Sequence, residues 1–125
     1  MRLLLDSNVV VWALSKSDRL KRSAMDILEN PANDLYFSIA GVWEIGIKQS
    51  TGKLKMPDGY LSILRDQSVK FLPISIEHAY AARSLPRLHK DPFDRMLVVQ
   101  AMIEDLTIMT HDEMIQAYAV PCLMV

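Results

Sequence analysis

Short apolar runs alternate with segments of helical period along the whole chain, and nothing else in the sequence constrains the fold as much. Residues 3–5, 35–38, 69–73, 107–109 and 120–125 read as strands. They are short, apolar and bounded by turn formers or caps, as buried strands are. Between them, residues 7–14, 20–29, 39–50, 57–67, 75–85, 91–105 and 112–118 read as helices. In the second of these, Leu20, Ala24, Ile27 and Leu28 recur at helical spacing, and Asn30-Pro31 is the stop. Gly52 ends the third. Asp91-Pro92 opens the sixth with a cap and a first-turn proline. Its interior, Met96 to Ile103, is apolar nearly all round, which marks a central buried helix. Strands alternating with helices imply an α/β class, a parallel sheet covered on both faces.

Four acids fall where such a fold builds its sites. Asp6 ends the first apolar run, and Asp112 follows the run Leu106-Thr107-Ile108-Met109-Thr110. Both therefore stand just past the carboxyl ends of expected strands, the edge where open α/β sheets bind ligands. Asp94 lies in Asp91-Pro92-Phe93-Asp94-Arg95, and Glu44 lies in Val42-Trp43-Glu44-Ile45. Each acid alone has an ordinary explanation. Asp6 reads equally well as the cap of the next helix. Glu44 sits four residues before Lys48, at ion-pair spacing. Asp91 reads as a cap, and Asp94 falls in a first turn, where the helix dipole favours any carboxylate. Thr110 with Glu113 fits a capping box, which would leave Asp112 incidental. The set is harder to explain away. At ~5 Å and an effective dielectric of ~20, each like-charge pair costs roughly 3 kcal/mol. One or two Mg²⁺ or Mn²⁺ ions held through oxygen would offset that cost and stabilise a phosphoryl transition state. Ser7, Ser38 and Thr110 put neutral hydroxyls nearby, in positions that caps and strand ends explain as readily.

The bulk properties bound the function further. The chain of 125 residues suits one domain, residues 1–125, with a real core. The net charge of -1 does not announce nucleic-acid binding, so such affinity would come from local basic patches. Three basic runs are candidates: Lys16 to Arg22, Lys48 to Lys55, and Arg83 to Arg95. Cys122 is the only cysteine, so there is no disulfide framework, and no zinc-like Cys/His spacing occurs. No segment has the length to span a membrane, and the start is too short for a signal peptide, so the expectation is a cytoplasmic protein.

The blocks around the acids resemble the PIN-domain family, and within it the VapC-like toxin ribonucleases. Leu3-Leu4-Leu5-Asp6-Ser7-Asn8, with Trp12 beyond, is similar to the family's opening Leu-Leu-Leu-Asp-Thr-His run. Ser38 to Lys48 resembles its second block. His89-Lys90-Asp91-Pro92-Phe93-Asp94-Arg95-Met96-Leu97, followed by Gln100-Ala101, resembles its third and most specific block. Thr110-His111-Asp112 resembles its closing Thr-x-Asp. The resemblance implies a three-layer α/β/α fold with a five-stranded parallel sheet. It implies Mg²⁺ or Mn²⁺, one or two ions, held by Asp6, Glu44, Asp94 and Asp112, and hydrolysis of RNA phosphodiester bonds. Asp6 and Asp94 would be the direct ligands, with Ser7 and Thr110 in support. It further implies the toxin of a type II toxin–antitoxin pair, with a cognate antitoxin protein as partner, and a homodimer. Ser7 replaces the commoner threonine and keeps the hydroxyl; Asn8 replaces a common histidine.

Two rival functions compete with that reading. One is a PIN-like RNA-binding or interaction module without catalysis, against which the full set of acids argues. The other is a phosphoryl-accepting receiver-like domain, which needs a lysine after a late strand where this chain has Thr110-His111-Asp112. The remaining conspicuous residues read as structure. His89 and His111 read as solvated surface histidines, and Arg95 as a partner for a nearby acid. Trp12 and Trp43 read as core or interface anchors rather than base-stacking platforms. Met96, Met102 and Met109 read as core filler.

Overall fold

A computed structural model describes residues 1–125 and contains five strands in one sheet. The strands are β1 (Arg2–Leu5), β2 (Asp34–Ser38), β3 (Lys70–Leu72), β4 (Thr107–Thr110) and β5 (Cys122–Met124). The helices are α1 (Ser7–Leu14), α2 (Arg22–Glu29), α3 (Ile39–Ser50), α4 (Tyr60–Asp66), α5 (Ile76–Ala81), α6 (Pro92–Glu104) and α7 (Glu113–Gln116). A 3₁₀ turn, Ala82–Ser84, continues α5. Strand order is β3-β2-β1-β4-β5, and every pairing is parallel. The three-layer α/β/α arrangement follows from how β1 divides its side chains. Leu3 and Leu5 pack into one apolar cluster with Val9, Val10, Phe37 and Leu64. Leu4, between them, packs into a second with Leu97, Val98, Ile108 and Ile115. A strand buried on both faces has no polar position to spare, which is why Leu3 to Leu5 form a continuous apolar run after the exposed Arg2.

The order of the strands places the site. The chain winds outward from β1 through β2 to β3, then returns to the other side of β1 as β4. β1 and β4 are thus adjacent but distant in sequence, the arrangement of a topological switch point, and a crevice opens there outside the strands' carboxyl ends. In the β1–β4 register Leu5 sits opposite Met109, and the Asp6 amide donates to the Met109 carbonyl at 3.0 Å. Asp6 and Thr110 therefore leave adjacent strands side by side.

Local sequence explains most boundaries. Ser38 caps α3 by accepting from the Ala40 amide at 3.0 Å. Gly52, at φ 74°, takes the left-handed conformation just past the end of α3. Two expectations are corrected. The fourth helix does not start at Pro57: residues 57–59 form a turn, and Gly59 stands at the N-cap with φ 70°. The sixth helix is not buried all round. Leu97 to Ala101 are buried, but Met102 is exposed and so is not core filler; Met109 is fully buried.

Gly41 sets how closely α3 lies on the sheet. A Cβ there would collide with the Phe37 ring, and Phe37 is fully buried. Gly41→Ala must therefore displace a core ring. The expected cost is about 1–3 kcal/mol, read as a lower midpoint in urea unfolding. An unchanged midpoint would mean that the Phe37 ring has room to move.

Candidate active site

Asp6 occupies the N-cap position of α1, yet its carboxylate makes no cap hydrogen bond. The Asn8 amide lies near enough to favour its charge without reaching bonding geometry. Instead Asp6 Oδ2 accepts from Thr110 Oγ1 at 2.6 Å. The residue is only 4% exposed. Burial raises its pKa above the ordinary 3.8, against the help of Thr110 and Asn8, and the charge of Glu44 adds to the rise. Glu44, on α3, is also buried. Ser7 Oγ donates to its Oε1 at 2.8 Å, and Lys48 Nζ donates to its Oε2 at 3.0 Å. The i,i+4 ion pair read from the sequence exists, and it is built into the same cluster as Asp6.

Asp94 stands in the first turn of α6. Asp91 performs the capping there, its Oδ1 accepting from the Phe93 and Asp94 amides at 2.8 and 3.2 Å. The Asp94 carboxylate is thereby left for other work. Burial, then the charges of Asp6, Asp91 and Glu44, push its pKa up to about 7, although His89 opposes the rise. Asp112 behaves differently. Its Oδ1 accepts from the Met114 amide at 2.9 Å and caps α7. The expected Thr110–Glu113 capping box does not form, because Thr110 Oγ1 is taken by Asp6 and by the Asp112 amide at 3.0 Å. Burial works against the charge on Asp112, but the Met114 amide and His89 outweigh it and lower its pKa.

His89 joins the last two acids, and here the sequence reading is corrected. It is not a solvated loop residue: its side chain is 11% exposed. Its Nε2 lies 2.9 Å from Asp94 Oδ2 and 3.0 Å from Asp112 Oδ2. Burial disfavours its charge, but the Asp112 hydrogen bond and the charges of Asp94, Asp112 and Asp91 prevail and raise its pKa above 6.5. The Asp91 amide, which can only donate, points at His89 Nδ1 at 3.2 Å. In the neutral ring the proton therefore sits on Nε2, and in the charged ring it sits there too. His89 Nε2 is thus a donor to the two carboxylates. It offers no lone pair to an ion, although His89, Asp94 and Asp112 place ligand atoms within 4.8 Å of one another.

Two residues hold His89 in place. Arg95 does not pair with an acid. Its guanidinium donates to the carbonyls of Pro86 at 2.9 Å, Leu85 at 3.1 Å and Ala82 at 3.4 Å, and to the Tyr118 hydroxyl at 3.2 Å. The Tyr118 hydroxyl accepts from the Leu88 and His89 amides and donates to Pro86 O at 2.7 Å. The segment leading into α6 is thereby tied down by its own backbone.

The donor set suits a hard divalent cation. The cluster of Asp6, Glu44 and Asp94 offers only carboxylate oxygens. No protein group donates to Asp6 Oδ1 or Asp94 Oδ1, and neither is sealed from solvent. Two acceptors facing like charges with no donor of their own are what an ion would satisfy.

The sequence model of the PIN domain matches residues 3–121. The chain belongs to the PIN-domain family. Solved structures share this PIN fold over nearly the whole chain. One is a chain of VapBC2 from Rickettsia felis bound to a DNA fragment from its promoter, with TM-score 0.73, 17% identity, and 98% of each chain covered. Another is a toxin–antitoxin complex from Klebsiella pneumoniae, with TM-score 0.65 and 18% identity over 97% of this chain and 95% of that one. A third is FitAcB from Neisseria gonorrhoeae, with TM-score 0.63 and 23% identity over 97% and 96%. No curated protein matches the sequence significantly.

Within this PIN domain the remaining candidates divide. Ser7 and Thr110 do touch the acids, on Glu44 and Asp6, whereas Ser38 serves only as a cap. His111 is exposed, as expected, and packs on Trp12 at 4.5 Å between ring centroids. Trp43 is no core residue: it is 63% exposed and meets Phe93 edge-on at 5.3 Å. No helix is long and apolar enough to cross a membrane.

Proposed function

We propose that this PIN domain is a divalent-metal-dependent endoribonuclease. The observation that supports it most is the convergence of Asp6, Glu44 and Asp94 at the β1–β4 switch point, where Asp6 Oδ1 and Asp94 Oδ1 have no protein hydrogen-bond donor. Asp6 and Asp94 would hold Mg²⁺ or Mn²⁺, and Glu44 and Asp112 would complete the site, for one ion or two. Such an ion supplies Lewis-acid stabilisation of a phosphoryl transition state. The chain's own residues do the rest. Thr110 and Ser7 orient Asp6 and Glu44 by donating to them. His89 bridges Asp94 and Asp112 and fixes their direction, as hydrogen-bonded outer residues do around metal ligands. Lys48 offsets one charge of the cluster. No protein nucleophile is required. The test is cleavage of single-stranded RNA by the purified chain: activity with Mg²⁺ or Mn²⁺ and none in chelator supports the reading. Binding without cleavage under every divalent ion would favour the non-catalytic module.

We further assign the chain as the toxin of a toxin–antitoxin pair, since the structural neighbours include complexes of that kind. An open apolar cleft of about 360 Å³ lies between α1, α2 and α4, lined by Val9, Val10, Leu14, Leu28 and Leu35, with Lys16 and Glu29 among its lining residues. It suits the apolar side chains of an antitoxin segment.

The homodimer has a surface to match. On α3, Ile39, Trp43 and Ile47 are exposed at i, i+4 and i+8, and on α5 Ile76 and Tyr80 are 90% and 66% exposed. An apolar stripe of that spacing is a helix-packing seam without a partner. Trp43→Glu is expected to convert a dimer to a monomer in analytical ultracentrifugation. A dimer that survives the substitution would place the interface elsewhere.

A further inference from the structure

A second cavity, of about 320 Å³, opens between α1 and α3 and the segment after α3. Ser7, Asn8 and Trp12 line one wall, and Lys48, Lys53 and Leu54 the other. Its place beside the acid cluster is set by two bonds: Ser7 and Lys48, which line it, both donate to Glu44. We propose that this cavity is the subsite for one unpaired nucleotide of the RNA, next to the bond that is cut. The subsite rests on the ribonuclease reading for that last clause alone.

Its chemistry is that of a nucleotide. The volume falls at the lower end of the ~300–1,000 Å³ typical of small-molecule sites, which fits one residue of a strand and excludes a duplex. Two lysines and no acid line it, in a chain whose net charge is -1. Lys48 is committed to Glu44, but Lys53 is exposed and has no acidic partner, so its ammonium is available to a phosphate. The half-buried Trp12 puts an aromatic side chain on the cavity wall; it packs in part against the apolar core, with the His111 ring at 4.5 Å and the Arg19 guanidinium 5.9 Å from its centroid. Unpaired bases bind on such surfaces because every base has a π-face, and double-stranded ones cannot reach them. Asn8 makes no side-chain hydrogen bond within the protein, and an amide that both donates and accepts is suited to reading a base edge. A cation, a braced aromatic face and a free amide around one small cavity match the three parts of a nucleotide.

The test uses the chain labelled with 5-fluorotryptophan, titrated with a short single-stranded RNA oligonucleotide in chelator, where the metal-dependent cleavage proposed above does not run. The protein has two tryptophans, so fluorine NMR gives each its own signal. The Trp12 signal is expected to shift saturably and the Trp43 signal to stay put. Lys53→Ala should weaken binding by about tenfold and lower the salt slope by roughly 0.7, the value for one phosphate contact on a single strand. Asn8→Ala should alter the ranking of the four homopolymers while leaving the salt slope unchanged. Movement of Trp43 alone, or indifference to both substitutions, overturns the subsite. So does an equal Trp12 shift with polyglutamate, which would mark a seat for an acidic protein segment. Metal-dependent cleavage measured separately keeps the two readings apart. Cleavage without Trp12 binding sinks the subsite and spares the nuclease; Trp12 binding without cleavage under any divalent ion does the reverse.

Discussion

Asp94→Asn is expected to lower RNA cleavage about 10³-fold and to leave the fold in place. The large effect follows from what Asp94 meets. Its carboxylate feels the charges of Asp6 and Glu44 and has one oxygen that no protein group satisfies. Under the proposed metal-dependent mechanism, removing its charge would remove a ligand whose contribution to transition-state stabilisation is on the order of 4 kcal/mol, or three decades in rate. The small effect on folding follows from what Asp94 does not do. Asp91, not Asp94, caps α6 through its side chain. An asparagine Oδ1 can still accept from His89 Nε2. The check is a cleavage assay alongside a thermal melt on the same preparation. Cleavage at the wild-type rate by the folded variant would remove Asp94 from the site.

Asp6→Asn is expected to melt higher than the wild type in chelator at about pH 8, and to gain far less on adding millimolar Mg²⁺ or Mn²⁺. The pH matters because of Asp94. Its pKa rises from 3.8 in the unfolded chain to about 7 in the fold, so between those values the native state holds the extra proton. The metal-free fold therefore loses stability as pH rises through that window. The loss is at most about 4 kcal/mol, at ~1.4 kcal/mol per pKa unit, and solvent screening reduces it. Near neutral pH a shared proton already relieves part of the repulsion, and above it the relief is gone. Removing the Asp6 charge should flatten this loss. A divalent ion bound as proposed would offset the same repulsion in the wild type and would stabilise it by mass action, since the unfolded chain has no assembled site. The capping objection to this experiment falls away, because the Asp6 carboxylate makes no cap bond. Equal metal-induced shifts in the two proteins would show that Asp6 is not a ligand.

The central strands are legible because they are buried on both faces, whereas the edge strands β3 and β5 are only half-buried and show as short apolar runs. β1 to β5 lie on the five expected apolar runs, with ends moved by a few residues. The helices α1, α3 and α6 also lie close to their expected spans; the caps of α3 and α6 are local, Ser38 bonding Ala40 and Asp91 bonding Phe93 and Asp94, whereas Asp6 at the N-cap of α1 makes no cap bond. The start of α4 departs from the expected one because Pro57 is equally at home in a first helical turn and in the turn it actually makes. The roles of Asp6, Thr110 and Asp112 could not be separated locally. A carboxylate after a strand and before a helix is a cap or a ligand according to which donors reach it. Here the donor to Asp6 is Thr110, 104 residues away in sequence.

From sequence alone came the α/β class, the parallel sheet, the four acids and the family whose motifs carry them. Hydrophobic period and local caps act over a few residues, and a chain records them directly. The sorting of those acids belongs to the tertiary structure. Only the β3-β2-β1-β4-β5 order places Asp6 beside Thr110. Only the carbonyls gathered by Arg95 and the hydroxyl of Tyr118 carry His89 onto Asp94 and Asp112. Asp94 and Asp91 lie in the same block of sequence as His89, but its other partner Asp112 lies 23 residues on, and the burial that shifts the acids' pKa values exists only after the layers have packed.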